Sequence, residues 1–165
     1  MTLQGKSLDQ APMTPPMSQA DLLSYFDARG LKHATVAHPA VFTVAEGADM
    51  KAKMPGGHSK NLFLKAKNGA LFLVSAKDDT QIKLNRLHKA LGCDRLSFGS
   101  PELLIEALGV TPGSVTAFAL VNDPAQKVQF YLDAALWACD PINFHPLANT
   151  ATTAMPRADF RRFLE

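Results

Sequence analysis

The stretch NLFLKAKNGALFLVSA, residues 61–76, decides the fold. Two apolar arms flank Asn68-Gly69, the dipeptide that most readily adopts the positive φ angles of a type I′ turn, so the stretch predicts a β-hairpin. Both arms are apolar on more than one face, which predicts strands covered on both sides. The centre of the chain is therefore expected to be a sheet between packed layers.

Toward the N-terminus, Pro55, Gly56 and Gly57 form a glycine turn that delivers His58, Ser59, Lys60 and Asn61 to the start of the first arm. The same turn should end a short helix signalled at Thr43, with Glu46 three residues on as in a capping box. KHATVA (32–37) is β-prone and stops at the restricted pair His38-Pro39. A first helix is expected from Ser18, where Asp21 completes a cap, Leu22, Tyr25 and Phe26 share a face, and Gly30 ends the run. Residues 1–17, rich in Pro, Gln, Ser and Met, are read as a mobile tail, leaving 18–165 as a single domain.

Toward the C-terminus, Asp78, Asp79 and Thr80 are candidate caps for a helix over QIKLNRLHKALG (81–92), and CDRLSFG is a short strand or connector. Ser100-Pro101-Glu102 opens another helix that Gly109 ends. After the turn VTPGS, the runs VTAFALV and KVQFYLDAAL read as two more strands, FHPLANTATTAM as extended chain, and RADFRRFLE as a terminal helix. The expected class is α+β: a mixed, partly barrel-like sheet surrounded by helices.

Composition narrows the chemistry. Hydrophobic residues make up 47% and charged residues 19% of 165, and the net charge of +2 is too small to announce a polyanion binder by itself. Cys93 and Cys139 show no metal or redox spacing and read as buried reduced thiols. The N-terminus lacks the apolar run of a signal peptide and nothing approaches a membrane span, so a cytoplasmic protein is expected. No G-x-S-x-G, Walker loop or G-x-G-x-x-G is present, and the five histidines lack metal-ligand spacing, so neither metal nor cofactor is expected.

Two polar clusters remain. In the first, the glycines would let backbone approach a ligand and Lys60 would supply a compact positive charge for a phosphate or a polarised carbonyl. The same residues also fit a solvated loop with a lysine guarding a strand edge. The second cluster is His145 to Thr153, whose Asn149 and threonines are equally compatible with ordinary β-strand, and whose His145 fits a packing role as well as a chemical one.

Taken in order, GGHSKNLFL, NGALFLV, LGVTPGSVTAFAL and FHPLANTATT, with HPAVFTVAEG before them, resemble the YbaK/ProX superfamily of aminoacyl-tRNA deacylases. Within it the resemblance is to the free-standing prolyl-tRNA editing group, ProXp-ala and PrdX. It covers residues 18–165 and implies the YbaK-like editing fold, no metal or cofactor, and hydrolysis of alanine from mischarged tRNA for proline. Lys60 would be the signature lysine at the terminal adenosine and carbonyl, with Asn61 beside it and His145 as a third catalytic candidate. The Gly113-Ser114 turn would help hold the phosphate or developing oxyanion, and a ribose hydroxyl of the substrate would take the place of a protein nucleophile. Pocket walls are assigned to Val36, His38, Phe42, Thr43, Met50 and Pro55, with Asn149 and Thr150 lining the site; for Val36, Phe42 and Met50 ordinary core is the alternative. Lys65 and Arg95 are candidates for the tRNA stem, with Lys51, Lys53, Lys77 and Lys83 as additions, although each also fits a solvated charge. The partners implied are the acceptor end of tRNA and prolyl-tRNA synthetase. Alternatives are a cargo of Cys or Ser, or a non-catalytic module binding tRNA or a synthetase.

Overall fold

The computed structural model describes residues 15–40, 48 and 51–165. Helix α1 (Gln19–Ala28) starts as expected: Ser18 Oγ accepts from the Asp21 N–H, and the Asp21 carboxylate accepts from the Ser18 N–H. Strand β1 (Ala34–Ala37) follows. The expected helix start at Thr43 lies outside the described residues; residues 51–53 are helical.

The hairpin forms as β2 (Gly57–Ala66) and β3 (Leu71–Lys77), in continuous register from Ser59↔Lys77 to Lys65↔Leu71. Its turn is not the expected type I′, which needs positive φ at both central residues: Gly69 has φ +95°, Asn68 does not, and the Gly69 N–H donates to Ala66 O at 2.9 Å. Then come α2 (Leu84–Leu91), β4 (Leu96–Phe98), α3 (Pro101–Leu108), a 3-10 helix (Ala117–Asn122), β5 (Val128–Leu132), α4 (Ala134–Trp137), β6 (Ile142–Phe144), β7 (Ala151–Met155) and α5 (Arg157–Leu164). The seven strands among the described residues form one mixed sheet in the order β1-β7-β6-β2-β3-β5, with β4 pairing β2 off that path. Its path is open, so the partly closed barrel that was expected is an open, mixed sheet with helices packed on it.

Four further local expectations are overturned. VTAFALV is not a strand: Thr116 Oγ1 accepts from the Phe118 N–H and starts the 3-10 helix, and Ala117, Phe118 and Ala119 are fully buried. Without alternation, an apolar run on every side carries no signal separating strand from buried helix. Asp78, Asp79 and Thr80 do not cap α2, which begins at Leu84 with no side-chain cap; Asp78 pairs with Lys51 and Asp79 with Lys77. KVQFYLDAAL is strand only to Leu132, because Asp133 accepts from the Ala135 N–H and opens α4. FHPLANTATTAM is interrupted between β6 and β7 at residues 145–150, where Leu147 has φ +69°.

Two layers of core flank the sheet. On one side Phe26, Phe118, Phe144, Phe160 and Phe163 pack at centroid separations of 4.9–6.3 Å with α1 and α5, continuing into Phe63, Leu73, Leu104 and Leu108 beneath α3. On the other, Leu64, Ala66, Phe72 and Val74 are covered by Leu84, Leu87 and Leu91 of α2. The boundary drawn after residue 17 has a contact across it: the Met17 N–H donates to Asn122 Oδ1 at 2.9 Å. Cys93 and Cys139 are free thiols, half-buried rather than buried. Among the described residues no helix is long and apolar enough to cross a membrane.

Candidate active site on one face of the sheet

Strand alternation places His58, Lys60, Leu62, Leu64 and Ala66 on one face of β2, and Ser59, Asn61, Phe63 and Lys65 on the other. The two core layers agree, since Leu64 and Ala66 pack under α2 while Phe63 packs under α3. Carrying the registers across the sheet puts Asn143 and Ala154 beside His58. Extending these registers two residues past the last paired positions lines Lys60 up with the paired Thr152 and Val36 on the same face, and with His145, the first residue beyond β6.

That row opens in the middle. On its outer edge β2 pairs with β6 only at Gly57 and His58, and with β4 only from Leu64 to Ala66, with a bond from the Gly99 N–H to Phe63 O. Along the intervening edge the backbone of Asn61 points outward, because its neighbours in phase bond that way: Phe63 O faces β4, whereas His58 O accepts from Asp78 on the β3 side. The Asn61 N–H and C=O therefore face a gap in the sheet, with no strand partner among the described residues.

Lys60 is held, not free in water. Its ammonium donates to Thr80 O, and the Thr80 hydroxyl donates to Asp133 Oδ2 at 2.6 Å. The same carboxylate accepts from the Lys77 N–H at 3.1 Å. Burial pushes the Asp133 carboxyl up, but the Thr80 hydroxyl, the Lys77 and Ala135 N–H donors and the Lys60 charge together hold it below its ordinary value. Asp133 thus pins the turn that carries the Lys60 acceptor.

At the other end of the row His145 Nδ1 lies 2.9 Å from Ala151 O. A carbonyl only accepts, so Nδ1 carries the proton and Nε2 keeps a lone pair. Burial lowers the His145 pKa, outweighing the Ala151 bond, and nearby His38 adds to the lowering. The His38 ring is 6.2 Å away; its Nδ1–H donates to Pro39 O at 2.8 Å, and its Nε2 accepts from the Thr152 hydroxyl at 2.8 Å. The His38 N–H donates to Thr150 O at 2.8 Å. Beside His58, Asn143 donates to Pro55 O and Gly57 O while its buried Oδ1 has no hydrogen-bond partner among the described residues.

Other predicted residues lie elsewhere. The Asn61 side chain sits on the opposite face, accepting from Ser75 Oγ and donating to Ser59 Oγ, which in turn donates to Asn143 O. Gly113 meets Asn149, whose Nδ2 would lie 3.1 Å from a Cβ at 113, but the Ser114 N–H is taken up by Thr111 O. Gly56 and Gly57 were expected to let backbone approach a ligand. Instead a Cβ at 56 would lie 2.3 Å from Pro141 O, and one at 57 would lie 2.5 Å from Cys139 Cβ, so close packing against the chain before β6 accounts for both. Phe42, Thr43 and Met50 lie outside the described residues. Lys65, Lys83 and Arg95 are exposed with no acidic partner among the described residues, whereas Lys51 and Lys77 are ion-paired. Thr80, Asp133 and Asn143 were not anticipated; the Asp-Ala-Ala at 133–135 did carry an N-cap signal.

A cavity of about 770 Å³ lies on the opposite side of the sheet, lined by Tyr25, Arg29, Val121, Phe130 and Phe163 among others, and holds none of the candidate residues. Among the described residues no group of three metal-binding side chains occurs.

The aminoacyl-tRNA editing domain family model matches residues 38–163. Prolyl-tRNA synthetase associated domain-containing protein 1 of Danio rerio is 34% identical over 157 residues, covering 94% of this chain and 85% of that protein. Its counterpart from Xenopus laevis is 39% identical over 150 residues, covering 88% and 89%. Prolyl-tRNA editing protein ProX of Acetoanaerobium sticklandii is 28% identical, covering 87% and 88%. A crystal structure of a candidate trans-editing enzyme for prolyl tRNA synthetase shares the fold at a TM-score of 0.67 and 21% identity, covering 89% of this chain and 92% of that one. On this evidence the chain belongs to the aminoacyl-tRNA editing domain family.

Proposed function

We propose that the protein is a trans-editing deacylase that hydrolyses alanine from mischarged tRNA for proline. The observation that carries the reading is the row of Lys60, His145, Thr152 and Val36 on one face, interrupted by the gap onto which the Asn61 N–H opens. Lys60 stands one residue before Asn61 in β2, and its ammonium is tethered through one carbonyl, Thr80 O on the β3 side, which leaves two of its donors for a phosphate or a carbonyl oxygen. The Asn61 N–H adds a fixed dipole, and preorganised donors of this kind are often the largest contribution to acyl-transfer catalysis. In this role Asn61 acts through its backbone.

Among the described residues no serine hydroxyl or cysteine thiol is hydrogen-bonded to a histidine ring, and the reading requires none. Water adds to the ester carbonyl carbon, the bond from that carbon to the ribose oxygen breaks, and the oxygen leaves with a proton, releasing amino acid and tRNA. The neighbouring ribose hydroxyl orients the water, while the neutral His145 Nε2 accepts a hydrogen bond from substrate or water. Val36 and the His38 ring form the wall beside His145, so selection against proline is steric. Attraction alone distinguishes one methylene by only about 1–3 kcal/mol.

The test is a panel of purified tRNAs charged with Ala, Cys, Ser and Pro. Alanine release from tRNA for proline should be fastest and Pro-tRNA should persist. Preferential release of Cys or Ser would reassign the cargo, and retained tRNA binding without ester cleavage would make the protein a binding module.

A further inference from the structure

Resting on that reading, we propose that Phe98 is a stacking platform for a base of the unpaired RNA 3′ end, upstream of the terminal adenosine. Phe98 is 63% exposed, the most exposed of the large hydrophobic residues described. Its ring makes no aromatic or cation contact with a described residue, so its faces are open. The backbone holds it there: Gly99 donates to Phe63 O at 3.0 Å, and a Cβ at 99 would lie 2.4 Å from the Phe63 ring, so this strand end fits only against a bare backbone.

Position makes the exposure informative. Phe98 pairs with Leu64, so alternation puts it on the face that carries Lys60, next to the unpaired edge of β2. Leu64 lies four positions along β2 from Lys60, about 13 Å at strand rise. That leaves room for an adenosine at Lys60 and sets the ring beside a base one or two nucleotides upstream. Exposed cations stand on the neighbouring elements, alongside the exposed carboxylates Asp94 and Glu102. Helix α2 packs on this same face through Leu84, Leu87 and Leu91 and exposes Lys83, Arg86 and Lys89, and Arg95 lies three residues before Phe98; no carboxylate pairs with any of these four among the described residues. An open aromatic face bordered by unpaired cations is the composition that single-stranded nucleic acid selects, since every base presents a π-face and every linkage a charge.

The probe is an uncharged RNA hairpin with an unpaired 3′ end, carrying 2-aminopurine at each unpaired position in turn. Wild-type protein should quench the fluorophore at one internal position, and Phe98→Ala should abolish that quenching. Affinity should fall about 5- to 150-fold, the range for losing one base–aromatic stack. Phe98→Trp should keep both signals, whereas Phe98→Leu, which keeps apolar bulk without a π-face, should behave as alanine does. The inference is overturned if Phe98→Ala matches wild type, if Phe98→Leu retains full affinity, or if Phe98→Ala changes self-association and leaves RNA binding intact. Stacking seen with a wild-type protein that cleaves no aminoacyl ester would sink the deacylase reading and leave this inference standing.

Discussion

Replacing Thr80 with Val tests whether the Asp133 carboxylate positions the Lys60 ammonium. The substitution preserves shape and the Thr80 carbonyl that accepts from Lys60, and removes only the hydroxyl bonded to Asp133 at 2.6 Å. Hydrogen bonds to charged groups contribute about 1.5–3 kcal/mol. Asp133 is only half-buried and keeps the Lys77 and Ala135 N–H donors, so solvent screening places the loss near the lower end, about 1.5 kcal/mol. For a domain of this size that lowers Tm by about 3–6 °C. Thr80→Ser retains a hydroxyl and should recover most of the loss. Urea unfolding measures the stability, and single-turnover deacylation of Ala-tRNA measures the function; in Thr80→Val the chemical step should slow while Thr80→Ser stays near wild type. If valine and serine variants are equally active and equally stable, Asp133 does not act on Lys60 through this turn.

Three further outcomes follow from the same geometry. Gly57→Ala forces a Cβ to 2.5 Å from Cys139 Cβ at the β2–β6 junction, and should destabilise by about 1–3 kcal/mol in urea unfolding. Because burial depresses the His145 pKa, the unfolded chain takes up a proton below about pH 6.5 that the folded chain resists. That contribution is complete above this pH and is lost as pH falls through the folded value, and the deacylation rate should decline over the same acidic window in wild type but not in His145→Gln. Thr152→Val removes the donor to His38 Nε2, so KM for Ala-tRNA should rise with the fold intact by circular dichroism.

Much of the fold was legible because its signals are local. Asn68-Gly69 marked the hairpin's turn, though only Gly69 takes the positive φ expected of both, Ser18 and Asp21 set the first cap, and Ser100 with Pro101 set α3, each through chemistry contained within a few residues. The misread segments depend on distant partners. VTAFALV coils into a 3-10 helix because it is enclosed on every side, and nothing in its own pattern reports that. The site divides in the same way. Lys60 and His145 stand out as polar residues at strand ends, but their membership of one row depends on β6 pairing parallel to β2 across 84 residues of chain, as in the Ser59 to Asn143 bond. The sequence points to Asn61 as an amide side chain, whereas the register presents its backbone to the gap. Asp133 was hidden inside a run read as strand, although its capping signal was there to be read.

The most direct test compares wild-type protein with Lys60→Met in single-turnover hydrolysis of Ala-charged tRNA for proline. Loss of one preorganised donor to the developing oxyanion should lower the rate about 100- to 1,000-fold, with urea unfolding and tRNA-hairpin affinity changed far less. A Lys60→Met protein that cleaves the ester at the wild-type rate would contradict the account.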